Sequence, residues 1–202
     1  TKLQPENIND ITAYNRLIDI DSSMLIYPIS MLAFNRSVLR GVYPLLADDD
    51  DETNLNLWKI AHEKALNRAN WQSYINLVMS SGFIHDRMIT QPNAFMFVYG
   101  IYLIGIDLNV DRKILERTIS SFFFMSTLSR RYTSSSETRA QQDIQTIKDN
   151  IKKEISFQDT LEEFMKTSLT KDFFEIQLDS ELNVSGAWGY SSWSCYVASQ
   201  VV

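Results

Sequence analysis

The sequence predicts an all-α fold, an irregular multi-helix bundle, and three observations carry that prediction. Apolar residues recur at helical spacing through most of the chain, as in Leu55, Trp58, Ala61, Ala65 and Leu66. Side chains able to cap a helix, Asp111, Ser134 and Ser156, stand just ahead of such runs. Only six glycines and four prolines occur in 202 residues, few for a protein built on tight turns. Strict alternation is confined to Phe174-Glu175-Ile176-Gln177-Leu178-Asp179, so one short extended segment near residues 174–178 is the only departure expected.

The elements follow in order. Asp21 or Ser22 can cap a helix running to about Arg40, with Pro28 tolerated only in its first turns. Residues 41–52 read as a loop. Thr53 opens a helical segment to about Met79, with a break near Asn70, and Gly82 stops it. Thr90 and Pro92 suit the start of the helix over residues 93–106, which is apolar nearly all round and therefore central. Asp111 caps a helix to about Leu128 with Leu115, Ile119, Phe122 and Phe123 inward. Ser134-x-x-Glu137 has the form of a capping box and opens a surface helix with the narrow stripe Ala140, Ile144, Ile147 and Ile151. Ser156-x-x-Asp159 starts another, with Leu161, Phe164, Met165 and Leu169 inward. Residues 183–190 read as a glycine-containing loop, and Ser191 or Ser192 begins a terminal helix.

A chain of this length buries roughly 70% of the surface its unfolded form exposes, enough for a real core. Its composition, 45% apolar, 22% charged and 12% aromatic, is that of an ordered globular protein. The formal charge of −6 is concentrated, since residues 48–52 are all acidic and the remainder carries 19 basic against 20 acidic residues. A body so nearly neutral has no general electrostatic reason to coat nucleic acid. The single cysteine, Cys195, excludes an internal disulfide and fits a reducing compartment. The longest apolar run, residues 94–106, is thirteen residues, too short to span a bilayer as a helix. Cytoplasmic placement without membrane contact is expected. The start at Thr1 and the stop at Val201-Val202 are read as the ends of a piece of a longer protein, a single helical domain over 1–202 with any subdivision near 130–156.

Most catalytic patterns fail on their own chemistry. His62-Glu63 begins a zinc-helix signature, but Leu66 stands where the second imidazole is needed. The acidic run lacks the spaced oxygen ligands and glycine of a calcium loop, which favours a solvated loop. Cys195 is not tied to either histidine and reads as a small apolar residue. Ser168-Leu169-Thr170-Lys171 lacks the companion motifs of serine–lysine enzymes. There is no glycine-rich phosphate loop; Gly100 and Gly105 read as close-packing points. No cofactor, metal ligand or catalytic residue is expected in this chain.

One stretch is harder to set aside. Residues 130–143, RRYTSSSETRAQQD, stand directly behind Phe122-Phe123-Phe124-Met125, and residues 111–153 hold nine basic and five acidic residues. On one reading this is a structural corner in which Arg131, Glu137, Arg139 and Asp143 pair with one another, with Arg139 and Asp143 one helical turn apart. On the other, the arginines and the first amides of the following helix receive a phosphate or a partner's carboxylate.

These residues also carry a resemblance. The run from Phe83 through Asn93, then residues 120–132 (SSFFFMSTLSRRY), then Ser136-Glu137-Thr138-Arg139 and Asp143, resembles the helical middle region of GmrSD-like restriction proteins. The corner is the most specific part, and the similarity is looser over residues 10–80 and from Leu161 onward. The resemblance implies a parent protein with a nucleotide-hydrolysing ParB-like domain ahead of this region and an HNH nuclease domain behind it, in bacterial defence against phage by cutting modified DNA. It implies partners in those flanking domains, with DNA reached only through the parent, and a nucleotide-dependent endonuclease activity of the parent. The Asp-Gly-Gln-Gln-Arg motif of the first domain and the histidine-led metal motif of the second are both missing here, so no catalytic role is carried over. Only Arg131, Tyr132, Ser136, Glu137, Arg139 and Asp143 match the family motif. The expected function is a non-catalytic helical connector and interaction domain; a DNA-contacting helical module or a free-standing helical adaptor are the alternatives.

Overall fold

The computed structural model describes residues 17–18, 22–47, 52–84, 88–89 and 91–178, and every regular element among them is helical. A 3-10 turn, Ser22–Leu25, leads into α1, Ile26–Phe34, with Pro28 in the first turn, where its missing N–H is tolerated. Sequence cues place the end of this helix near Arg40, but it stops at Asn35. Asn35 takes φ 54°, a left-handed conformation that asparagine tolerates, and the amides of Asn35 and Arg36 close back on the Met31 and Ser30 carbonyls. A 3-10 turn, Leu39–Gly41, and a single helical turn, α2, Tyr43–Leu46, carry the chain onward.

The periodic segment that follows divides into α3, Glu52–Ala65, and α4, Arg68–Ser80. The break lies at Asn67, earlier than the expected Asn70. Asn67 Oδ1 accepts from the amides of Ala69 and Asn70 at 2.9 and 3.2 Å, which caps α4. Asn70 has the reciprocal role, donating its side-chain amide to the Lys64 carbonyl at 3.1 Å and satisfying the end of α3. Gly82, at φ 94°, ends the run after α4.

Proline at the first turn opens α5, Pro92–Asp107, and Asp111 caps α6, Arg112–Leu128, by accepting from the Lys113 and Ile114 amides. Then come α7, Ser136–Lys152, and α8, Phe157–Ser168. The Ser156–Asp159 cap forms: the serine oxygen accepts from the Asp159 amide and donates to its carboxylate. The Ser134–Glu137 box does not. Ser135 takes the capping position with φ 49° and makes no side-chain cap bond, and the Glu137 carboxylate that would reach back is bonded to Tyr27 instead. The segment expected to be extended is a π-helical turn, Phe173–Leu178. Its alternation is deceptive: Phe174 and Ile176 are 47% and 64% exposed, and no strand among the described residues offers a ladder to pair with. The loop and helix expected beyond residue 183, with Cys195, lie outside the described residues, as do His85 and residues 48–51.

Helix α5 is the hub, buried on nearly all sides as its uniform apolarity foretold. It is packed by α1 on one side and α6 on another, while α3 covers α1, α4 lies along α6, and α8 sits against α6 and α7. Two glycines set the closest approaches. A Cβ on Gly100 would meet Met31 Sδ at 2.5 Å and Pro28 Cα at 3.4 Å, and one on Gly105 would strike Leu115 and come within 3.1 Å of Phe157. No helix among the described residues is long and apolar enough to cross a membrane.

Aromatic rings fill the space between α4, α5 and α6. Trp71 meets Tyr99 edge-on at 4.7 Å, Tyr74 meets Phe95 at 5.0 Å, and Phe83 meets Phe123 at 4.9 Å. The buried tyrosine hydroxyls find carbonyls: Tyr74 donates to Phe95 and Tyr99 to Ala65, each at 2.8 Å. Burial pushes both hydroxyls well up from the ordinary tyrosine range, so they remain protonated donors. Phe123→Ala, which empties the centre of this cluster, is expected to cost about 3–5 kcal/mol in denaturant unfolding, whereas Ile60→Ala, on the half-exposed face of α3, is expected to change stability by less than about 1 kcal/mol.

Candidate functional site

The corner after the phenylalanine helix begins with a backbone motif. Arg130 takes a left-handed φ of 53°, and the Arg131 amide closes back on the Ser126 carbonyl at 2.9 Å, as in a Schellman turn. The last carbonyls of α6 are thus met by backbone, which leaves the Arg131 guanidinium for another partner. That partner is Asp143, one face round on α7. Arg131 Nε donates to Asp143 Oδ2 at 2.8 Å and Nη2 to Oδ1 at 2.6 Å, a fork-to-carboxylate pair with side chains 3% and 4% exposed. Tyr132 donates its hydroxyl to the same Oδ2 at 2.7 Å. The third guanidinium nitrogen, Nη1, donates to Ser168 Oγ at 2.9 Å at the end of α8, and the cation lies 5.0 Å from the centre of the Phe164 ring.

The electrostatics follow from this geometry. Burial alone would lower the Arg131 pKa, but the hydrogen bonds and charge of Asp143 outweigh it and hold the guanidinium above its ordinary value. Burial first, and then the Asp143 charge, push the Tyr132 hydroxyl far up, so it remains a donor. A buried charge pair of this kind gains little over an apolar replacement, yet losing one partner is expensive because the other is stranded without water.

Glu137 performs a second task. Its carboxylate accepts from the Tyr27 hydroxyl at 2.9 Å and the Leu39 amide at 3.3 Å, and its carbonyl accepts from Ser37 Oγ at 2.7 Å. One turn along, Gln141 accepts from the Ser37 amide at 2.9 Å and donates to the Asn35 carbonyl at 3.0 Å. The first two turns of α7 therefore clamp the irregular segment that follows α1. Burial, then the Glu137 hydrogen bond and charge, raise Tyr27 from 10.0 to about 12.

Of the six motif residues, the structure joins Arg131, Tyr132 and Asp143 in one network and gives Glu137 to the clamp. Among the described residues, Ser136 Oγ accepts a long hydrogen bond from Asn93, at 3.4 Å. Arg139 stands 45% exposed and 3.9 Å from an Asp143 oxygen that already accepts from Arg131. It faces an open polar cleft of about 440 Å³, to which Ser134, Thr138, Thr167 and Ser168 also contribute. Sequence reasoning missed Ser168, Phe164, Tyr27, Ser37 and Gln141 as partners of the corner. Gln141 was legible as the residue one turn after Glu137 on the same face; the others come from distant elements that leave no local signal.

The remaining candidates do not form sites among the described residues. His62 is lowered from its ordinary value chiefly by burial, against the opposing charge of Glu63. No group of three or more histidine, cysteine or acidic side chains is placed to hold a metal ion among the described residues. Ser168 is paired with Arg131, not with Lys171. No protein-family model, curated protein or solved structure matches the chain significantly.

Two outcomes follow for this site. Arg131→Ala is expected to cost about 3–5 kcal/mol of unfolding free energy, against less than about 1 kcal/mol for Arg139→Ala, measured by urea unfolding. Because folding raises the pKa of Tyr27, its contribution is complete below about pH 10 and is lost as pH climbs to about 12. The alkaline fall in stability over that window should be shallower in Tyr27→Phe; an identical slope in the two proteins would show that the clamp does not perturb this tyrosine.

Proposed function

We propose that this chain is a non-catalytic helical connector and interaction domain of a bacterial, modification-dependent defence nuclease of the GmrSD-like type. On this reading it stands in the cytoplasm between a nucleotide-hydrolysing ParB-like domain and an HNH nuclease domain and keeps them in register. The observation that carries it is the use to which the motif is put. Arg131, Tyr132 and Asp143 tie the ends of α6 and α8 to α7, and Glu137 ties α7 to the segment after α1. A motif spent on fixing four segments relative to one another suits a part that transmits position better than one that performs chemistry. The reading frame on either side of these 202 residues tests it. An Asp-Gly-Gln-Gln-Arg motif upstream and a histidine-led nuclease motif downstream are expected; a frame containing neither would sink the proposal and favour a free-standing helical adaptor.

A second reading, direct contact with DNA, draws on Arg112, Lys113 and Arg117, exposed along the start of α6 beside Asn76 and Ser80 of α4. Against it, Arg112 is already paired with Glu116 at 2.8 Å, which leaves few cations to displace counterions from phosphates. The purified chain is expected to neither cut DNA nor hydrolyse nucleotide, and to leave duplex mobility unchanged at micromolar protein and physiological salt. A mobility shift that weakens steeply with added salt would replace the first reading with the second.

A further inference from the structure

The network and the clamp leave two motif residues over, Ser136 and Arg139, and of these only Arg139 is charged. Asp143 accepts three hydrogen bonds, Oδ1 from Arg131 and Oδ2 from Arg131 and Tyr132. Glu137 is likewise consumed by Tyr27 and Leu39. Arg139 is half-exposed and stands 3.9 Å from Asp143, within ion-pair range but too far for a hydrogen bond, so its guanidinium donors are not taken up by that carboxylate. It borders the cleft of about 440 Å³ between the turn after α6, the first turns of α7 and the end of α8.

The lining of that cleft is chemically one-sided. Two arginines, Arg131 and Arg139, line it together with hydroxyl residues that include Ser134, Thr138 and Ser168 and with Gln142, and no acidic residue does among the described residues. Arg131 is held rigid and its charge is matched by Asp143, so the cleft retains the charge of Arg139. We propose that this cleft binds a phosphate-class oxyanion, either free phosphate or the phosphate of a phosphomonoester, with Arg139 as the charged ligand and the serine and threonine hydroxyls as donors. A tetrahedral dianion offers several acceptor oxygens pointing in different directions, which suits donors arriving from three separate segments. A planar carboxylate offers two oxygens in one plane and would leave part of the ring unused. The site goes beyond the connector reading and does not depend on it.

The test is a titration of the full 202-residue chain, followed by amide and arginine side-chain nuclear magnetic resonance shifts, with inorganic phosphate, a nucleoside monophosphate and succinate at constant ionic strength. Saturable shifts at Arg139 and Thr138 with phosphate or the monophosphate are expected, and succinate should bind at least tenfold more weakly. Tighter binding of the monophosphate than of phosphate identifies an ester as the natural source, and the reverse identifies the free ion. Arg139→Ala and Thr138→Glu, both at exposed positions, should each weaken phosphate binding at least tenfold, while Arg112→Ala, outside the cleft, should not. The absence of saturation at millimolar phosphate, unchanged binding in a folded Thr138→Glu protein, or succinate binding as tightly as phosphate would overturn the proposal, the last in favour of a partner's carboxylate.

Discussion

The fold's second half depends on satisfying one buried carboxylate. Asp143 sits on a helix whose other inward residues are Ala140, Ile144 and Ile147, and its burial would be prohibitive without partners. Arg131 and Tyr132 supply three donated hydrogen bonds, and they can do so only because the chain turns sharply at Arg130. The pairing therefore fixes the angle between the phenylalanine helix and α7, and through Ser168 and Phe164 it fixes α8 as well. An apolar trio could have filled the same volume with equal or greater stability. What the ionic version adds is a unique register, since a fork meeting a carboxylate tolerates little sliding.

The first half is held differently. Its core is aromatic, with Trp71, Tyr74, Phe95, Tyr99 and Phe123 packed together, and the Tyr74 and Tyr99 hydroxyls within it donate to backbone carbonyls. Rings in edge-to-face contact give density with modest directional preference. The two halves meet along α5, and the Glu137–Gln141 clamp adds a polar tie from α7 back to the segment after α1.

Much of this was legible in the sequence, and the failures have identifiable causes. Helix periodicity located the central helix and the inner face of the phenylalanine helix, because burial there is continuous and local. The Asp111 and Ser156 caps were read correctly, since each needs only its own next few residues. The Ser134–Glu137 box was misread because Glu137 is claimed by Tyr27, 110 positions away, a tertiary demand that no local pattern records. Asn35 ended its helix early through a left-handed turn for which glycine is the usual signal. Residues 174–178 alternate as a strand would, but Phe174 and Ile176 face outward. At the corner, the pairing of an arginine with Asp143 was expected; that the choice falls on Arg131 and not Arg139 was decided by the turn at Arg130, which composition does not show.

The central claim is that Arg131 and Asp143 act as a single unit. A double-mutant cycle in urea with Arg131→Met, Asp143→Leu and the combined protein measures it most directly. The account predicts that each single change strands a buried charge and that the double change recovers much of the loss, a coupling toward the upper end of about 0.5–3 kcal/mol. Additive losses, with the double protein as unstable as the sum of the singles, would contradict it.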